Sequence, residues 1–265
     1  MVEALCLRLD CCSLELSLTT LIDLNCDMGE FDFIADAELD LAIMPLISRC
    51  NIAIGGHAGN EDTISYCFEQ ASKHNLSIGI HPSYADRANF GRKIVSEPWQ
   101  KTIDDIAQQI ELGINTAIAC GIKLSHIKLH GALYNQVEVD EALAAHVAEL
   151  FAQYDLAVLG MANGQLKKAC SSYSLEFINE AFIDRRYNNV SQLQPRSESG
   201  SVFTSEQDIV SQACAIAVGE PIQSADKKPL KITADSLCIH SDTPNAMQFL
   251  QAIRTAFSEQ DIHVS

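Results

Sequence analysis

The chain has 265 residues, a net charge of −17 and 47% hydrophobic residues. The acidic charge disfavours nucleic acid or an anionic membrane surface as a partner, because either would repel the chain at long range. No apolar run approaches the ~20 residues that a transmembrane helix needs, and α/β barrels reach ~250 residues as one unit, so the length allows a single domain.

The amino-terminal segment and the cysteines indicate where the protein resides. Residues 1–19 carry charges throughout and lack the long apolar core of a secretory signal. The ten cysteines include no CxxC pair and mostly lie in apolar segments, as is typical of reduced core residues. We therefore expect a cytoplasmic protein with an N-terminal extension at 1–19 and one barrel domain at 20–265.

Short β-rich runs alternate with longer amphipathic runs from about residue 20 onward. The apolar pattern predicts strands at 21–26, 51–56, 76–80, 126–130, 156–160, 175–179 and 235–240. It predicts helices at 36–47, 61–74, 98–120, 140–154, 165–172, 205–218 and 244–257. Seven repeats of strand, loop and helix predict an α/β fold with a parallel sheet, and this number favours closure into a barrel.

A barrel keeps its active site at the carboxyl ends of its strands, where this chain places ionisable residues. Nearly every predicted strand delivers such a group there: Asp27, Glu30, His57, His81, Lys128, His130, Glu180, Asp184, Arg185, Arg186, His240 and Asp242. Lys128 lies inside a predicted strand, and burying a lysine without a partner would cost several kcal/mol. We therefore expect it to point into the site.

Each of these residues also has a purely structural interpretation. Asp27 could form a turn with Gly29, and His57 could be an ordinary loop residue between glycines. His81 and His130 could be buried histidines with satisfied hydrogen bonds. Asp242, followed by Thr243 and Pro244, could only cap a helix.

The gathered groups suit acid/base hydrolysis of a carbon–nitrogen or carbon–oxygen bond. A divalent cation is compatible with them, the candidate ligands being Asp27, His57, His81 and His130. No dense HxH or HExxH pair demands a metal, and the sequence contains neither a GxxxxGK[ST] phosphate loop nor a GxSxG nucleophile elbow.

Seven ordered motifs make the chain resemble the LamB/YcsF family over about residues 20–257. They are LIDLNCDMGE, NIAIGGHAGNEDT, IGIHPSYADRANFGR, IKLHGALYNQ, EAFIDRRY, QPRSESGSV and LCIHSDTPNA. The resemblance implies a single-domain, seven-stranded, deacetylase-like β/α barrel. It also implies an ATP-dependent 5-oxoprolinase activity, in which the chain and partner subunits B and C open the 5-oxoproline ring to glutamate.

The motifs also carry the family's site onto this chain. The resemblance implies catalytic roles for Asp27, Glu30, His57, His81, Lys128, His130, Glu180 and Asp184. It implies substrate binding by Arg92, Arg185, Arg196, His240 and Asp242, and a guanidinium suits a substrate carboxylate. The alternative for Arg92 and Arg196 is a salt bridge between loops. The chain departs from the family pattern at Ile54, Gly56, Asn60, Leu129 and Ser241, which bears on substrate preference and on any metal site.

Two other functions are compatible with the same residues. One is a stand-alone metal-dependent deacetylase or carbohydrate hydrolase on the same barrel. The other is a non-catalytic component that binds a small carboxylic acid or a sugar derivative. A need for ATP and partner subunits would separate 5-oxoprolinase activity from both.

Overall fold

Seven parallel strands close into a barrel in the computed structural model, which describes residues 20–188 and 192–265. They are β1 (Thr20–Met28), β2 (Arg49–Ala53), β3 (Ser77–His81), β4 (His126–Lys128), β5 (Ala157–Met161), β6 (Phe177–Phe182) and β9 (Ser236–Cys238). The short strands β7 (Ile222–Gln223) and β8 (Pro229–Leu230) form an antiparallel pair between β6 and β9 in the chain. Leu237 of β9 pairs with Leu24 of β1 on one side and Ala181 of β6 on the other. This closure confirms the predicted seven-stranded barrel.

Helices follow the strands and surround the barrel. They are α1 (Glu38–Ile43), α2 (Glu61–Lys73), α3 (Trp99–Cys120), α4 (Gly131–Val137), α5 (Glu141–Phe151), α6 (Gln165–Ser172), α7 (Glu206–Ala217) and α8 (Ala246–Glu259). The predicted bounds of α6 agree with the structure, and those of α2, α3, α7 and α8 agree within two residues. The largest differences between prediction and structure are at the carboxyl-terminal ends of α1 and α5, which were predicted at residues 47 and 154 and lie at Ile43 and Phe151.

The sequence pattern differs from the structure at several places. The predicted helix at 36–47 is a short α1 between two 3₁₀ turns, Ile34–Asp36 and Met44–Leu46; the second turn contains Pro45, which has no N–H to continue an α-helix. The predicted helix at 140–154 ends at Phe151. Helix α4 and a tenth strand, β10 (Ile262–Val264), were not predicted; β10 runs parallel to the first residues of β1.

The barrel interior is polar at its centre, and β1 shows how the sequence produces this. Alternate residues of a strand face opposite sides. The apolar Leu24 and Cys26 are buried in the hydrophobic core, whereas Asn25 hydrogen-bonds to Ser236 Oγ on β9 and to Asn51 on β2. The core therefore lies between the strands and the helices, and the polar side chains fill the space inside the strands.

A glycine in β3 makes room for a buried histidine of β4. A Cβ atom added at Gly79 would lie 2.2 Å from His126 Nε2. We expect Gly79→Ala to displace the imidazole and to lower the free energy of unfolding by about 1–3 kcal/mol, the usual cost of overpacking a core. Urea unfolding would measure this. Ser77→Ala in the same strand is the matched control, and equal stabilities of the two variants would contradict the prediction.

Three further expectations concern the cysteines, membrane-spanning helices and the N-terminal segment. The described cysteines are free thiols. No helix within the described ranges is long and apolar enough to cross a bilayer. The predicted N-terminal extension at 1–19 lies outside the described residues and stays a prediction.

Candidate active site

The carboxyl ends of the strands surround one cavity of about 520 Å³. Eight of the predicted site residues line it: Asp27, His81, Arg92, Lys128, His130, Arg185, Arg196 and His240. Apolar side chains, including those of Leu129, Met161 and Phe182, and the ring of Tyr134 complete the wall. A cavity of this size and mixed lining suits a small organic molecule.

Lys128 lies at the base of the cavity between two carboxylates. Its Nζ is 2.8 Å from Asp27 Oδ1 and 2.8 Å from Glu180 Oε1, and the residue is 1% exposed. Burial alone would lower the pKa of Lys128, but the charges of its neighbours, Asp27 first, hold it well above its ordinary value. Lys128 is therefore a buried cation, and it lines the cavity.

Asp27 is the carboxylate that joins this cation to the histidines. Its Oδ1 accepts hydrogen bonds from Lys128 Nζ and Asn51 Nδ2, each at 2.8 Å, and its Oδ2 is 3.2 Å from His81 Nε2. Burial raises the pKa of Asp27, but the charges of His81 and Lys128 outweigh burial and hold it well below the ordinary value. Asp27 is therefore ionised and faces the cavity.

Three histidines and a glutamate meet beside Asp27, and each comes from a different strand end. Glu30 Oε1 lies 3.0 Å from His57 Nε2 and 3.3 Å from His130 Nδ1. The rings of His57 and His130 stack with centroids 3.7 Å apart, and His81 meets His130 edge-on. Burial lowers the pKa values of His57 and His130 well below the ordinary value and raises the pKa of Glu30.

A second carboxylate–histidine pair, Asp184 and His240, lies close to Asp27, because ligand atoms of Asp27, Cys238 and His240 are within 4.8 Å of one another. Asp184 is fully buried and accepts hydrogen bonds from His240 Nδ1 at 2.9 Å and from Thr243 Oγ1 at 2.6 Å. Burial raises the pKa of Asp184, but the charge and hydrogen bonds of His240 lower it to about 2. Asp184 thus orients the imidazole of His240, which lines the cavity and stacks on Phe182.

The three arginines at the cavity differ in their partners. Arg92 and Arg196 point to the same atom, Asp242 Oδ2, at 2.5 and 3.7 Å, and are about one-third exposed. Arg185 is 5% exposed; its Nη2 donates to the Gln194 carbonyl oxygen, and its buried Nε has no partner among the described residues. Burial and the charge of Arg196 lower the pKa of Arg185 to about 10, so the side chain remains a cation.

Comparison with known proteins identifies the family to which this arrangement belongs. The family model described as "LamB/YcsF family" matches residues 22–265. The chain is a member of the LamB/YcsF family. The resemblance drawn from the seven motifs is thereby confirmed.

Several LamB/YcsF relatives are named for one activity. Proteins from Erwinia tasmaniensis and Tolumonas auensis that are named as the A subunit of 5-oxoprolinase are 36% and 33% identical over 246 and 245 residues, which is 92% of this chain and 98% of each relative. The crystal structure of "Lactam Utilization Protein" from Thermus thermophilus superposes with a TM-score of 0.85 at 30% identity, covering 92% of this chain and 98% of that one. The barrel is thus shared with this structure over nearly its full length.

The barrel brings all the predicted site residues to one end. Some of them line the cavity, and the others lie behind these and contact them. Five of them do not line the cavity: Glu30, His57, Glu180, Asp184 and Asp242. These five contact residues that do line it, as Glu180 contacts Lys128 and Asp184 contacts His240. The individual roles predicted from the sequence stay predictions.

Two residues of the polar interior were not singled out from the sequence. Asn51 Nδ2 donates to Asp27 Oδ1, and Asn51 Oδ1 lies 2.7 Å from His126 Nε2. Burial, with the charge of Arg49, lowers the pKa of His126 well below its ordinary value, so the neutral ring can donate to the amide oxygen. This bond orients Asn51 toward Asp27. The sequence could have indicated these residues, because Asn25, Asn51 and His126 are polar residues at strand positions that face the barrel interior.

Two departures from the family pattern have local structural explanations. Asn60 caps α2, its side chain accepting hydrogen bonds from the backbone N–H groups of Asp62 and Thr63. A Cβ at Gly56 would lie 2.1 Å from Gln109 Oε1, so Gln109 fills that space and hydrogen-bonds to the backbone of Ser83. Both positions lie behind the cavity rather than in its lining.

Proposed function

We propose that this chain is the A component of an ATP-dependent 5-oxoprolinase, a hydrolase that opens the cyclic amide of 5-oxoproline to give glutamate together with partner subunits B and C. The observation that carries the proposal is the cavity at the strand ends, which is lined by an ionised Asp27, a cationic Lys128 and a buried Arg185. The names of the relatives support it, because a name that specifies one subunit indicates that other subunits take part. The free thiols and the consumption of ATP fit a cytoplasmic location.

The cavity suits a small lactam that carries a carboxylate. Arg185 presents a buried Nε without a partner among the described residues, and a guanidinium binds a carboxylate through charge-assisted hydrogen bonds. The apolar wall that includes Phe182 and Met161 can pack against the methylene groups of the ring. Arg185 is therefore the carboxylate anchor in this proposal, with Arg92 and Arg196 already paired to Asp242 at the rim.

The reaction adds one water across the lactam C–N bond. Asp27 takes a proton from the attacking water, the oxygen bonds to the carbonyl carbon, and the ring nitrogen leaves with a proton. Lys128 provides a fixed positive charge beside Asp27. The amide is resonance-stabilised, and ATP consumed in the complex would activate its oxygen by phosphorylation, which releases ADP. The phosphate would leave after water has added, so that one ADP and one phosphate would be released for each ring opened.

Reconstitution tests this function directly. The purified chain is mixed with its partner subunits and 5-oxoproline, with and without ATP, and glutamate and phosphate are measured. We expect equal amounts of both products, only when all subunits and ATP are present. No glutamate from the complete mixture would reject the substrate.

The stand-alone deacetylase remains the second candidate, because the histidine cluster could serve metal-dependent hydrolysis. In that case, the chain alone with Zn²⁺ would release acetate from an acetylated sugar, would lose activity to a chelator and would not need ATP. Glutamate release that depends on ATP and partners would exclude it.

Replacing Arg185 tests the carboxylate anchor. A charge-assisted hydrogen bond contributes about 1.5–3 kcal/mol, so we expect Arg185→Gln to raise KM for 5-oxoproline about 10- to 100-fold. The neighbouring Arg186 does not line the cavity, and Arg186→Gln is the matched control. Competition by 2-pyrrolidone, which lacks the carboxylate, should be equal in the wild type and Arg185→Gln. A KM unchanged in Arg185→Gln would assign the anchor elsewhere.

A further inference from the structure

Four side chains from four strand ends present ligand atoms to one point beside the cavity. They are Glu30 after β1, His57 after β2, His81 at the end of β3 and His130 after β4. Their nearest oxygen and nitrogen atoms all lie within 4.8 Å of one another. Imidazole nitrogen and carboxylate oxygen are ligands of first-row transition metals such as Zn²⁺.

The hydrogen bonds of His81 and His130 determine which ring nitrogens are free. His81 Nδ1 is 2.8 Å from the Lys128 carbonyl oxygen, and His130 Nε2 is 3.0 Å from the Phe90 carbonyl oxygen. A carbonyl only accepts, so both of these nitrogens carry the proton. The remaining nitrogens, His81 Nε2 and His130 Nδ1, are therefore the ones that can offer a lone pair to a metal ion.

These two nitrogens face each other at 3.0 Å. A proton on His81 Nε2 can be shared only with His130 Nδ1 or with Asp27 Oδ2, which is 3.2 Å away. Glu30 Oε1 and His57 Nε2 also converge on this point. A single metal ion can be coordinated by all four ligand atoms.

The spacing and the outer contacts are those of a metal site. Tetrahedral ligands about 2.0–2.1 Å from zinc lie about 3.3 Å from one another. Three separations in the cluster are 3.0, 3.0 and 3.3 Å. Histidines that bind a metal usually donate their other N–H to a backbone carbonyl or a carboxylate, as His81 and His130 do here.

We propose that Glu30, His57, His81 and His130 bind one divalent transition-metal ion of the Zn²⁺ class. The neutral state of His57 and His130, whose pKa values burial lowers, is the form that coordinates a metal. When bound, such an ion supplies Lewis-acid chemistry next to Asp27 and the cavity. Metal binding by these four ligands does not depend on the identity of the substrate.

Metal binding by the full chain, without substrate or partner subunits, tests this site. Chelator-treated protein is titrated with Zn²⁺ in a calorimeter and with Co²⁺ in a spectrophotometer, where low-symmetry nitrogen and oxygen coordination gives a visible absorption. We expect one ion per chain and a raised unfolding temperature with Zn²⁺, because a ligand that binds only the folded state stabilises it.

Variants of the ligands distinguish this site from adventitious binding. We expect Glu30→Gln and His130→Gln each to weaken Zn²⁺ binding by at least about tenfold and to alter the Co²⁺ spectrum, whereas exposed His74→Gln serves as the control and changes neither. Circular dichroism verifies the fold of each variant. If His130→Gln does not fold, Glu30→Gln still tests the site, because glutamine keeps the shape of the glutamate side chain. No Zn²⁺ bound by the wild type, or binding unchanged in Glu30→Gln, would overturn the site whether or not the complex opens 5-oxoproline.

Discussion

Asp27→Asn is expected to abolish ring opening by the reconstituted complex, with kcat reduced about 10²- to 10⁴-fold. The amide keeps the size of the side chain but cannot take a proton from water. It also removes the negative charge that pairs with Lys128 Nζ at 2.8 Å. Glutamate release with all subunits and ATP present provides the measurement.

The control for Asp27→Asn is Asp36→Asn, which changes an exposed aspartate outside the cavity lining. Binding of the partner subunits should be equal in both variants. A loss of turnover with partner binding retained would exclude a purely non-catalytic binding component. If Asp27→Asn kept turnover within a few-fold of the wild type, Asp27 would not be the base.

Lys128→Met is expected to cause the largest loss of stability. Removing the cation leaves Asp27 and Glu180 as buried carboxylates without their common partner, and breaking a buried ion pair in this way costs about 3–5 kcal/mol. Urea unfolding near pH 7 gives the free energy. The exposed Lys168 provides the control, because Lys168→Met should change stability by less than about 0.5 kcal/mol.

The effect of Lys128→Met should depend on pH in a defined direction. The folded-state pKa of Asp27 lies below its unfolded value of about 4, so its ionisation stabilises the protein above that pH and this contribution is lost as the pH falls. The difference between wild type and Lys128→Met should therefore narrow as the pH falls from about 7 toward about 3. Adding Glu180→Gln should recover part of the loss near neutral pH. A double variant less stable than Lys128→Met would contradict the ion-pair explanation.

Strand positions were predictable because the outer face of each barrel strand packs against helices. In β1, Leu24 and Cys26 alternate with Asn25 and Asp27, and this alternation is readable without a structure. Helix α4 and strand β10 were missed for a physical reason. Both are short, at seven and three residues, and β10 pairs with a strand at the other end of the chain.

The site residues were predictable as a group but not in their individual contacts. The closed barrel brings the ends of all its strands together, so any polar residue after a strand is a candidate. The pattern did not indicate that Arg92 and Arg196 meet Asp242, a residue 150 positions from Arg92. Nor did it indicate that Arg185, rather than these two, keeps a buried donor without a partner among the described residues.

The sequence by itself determined the barrel, its family and the end of the barrel at which the polar groups gather, because strand alternation and motif order are local properties of the chain. Only the tertiary structure decided which group pairs with which. It placed Lys128 between Asp27 and Glu180, and it brought His81 Nε2 and His130 Nδ1 within 3.0 Å of each other. These contacts depend on distances across a closed barrel, which no single stretch of the chain contains. Lone pairs and buried charges act over a few ångströms, so the chemistry of the site followed from that closure.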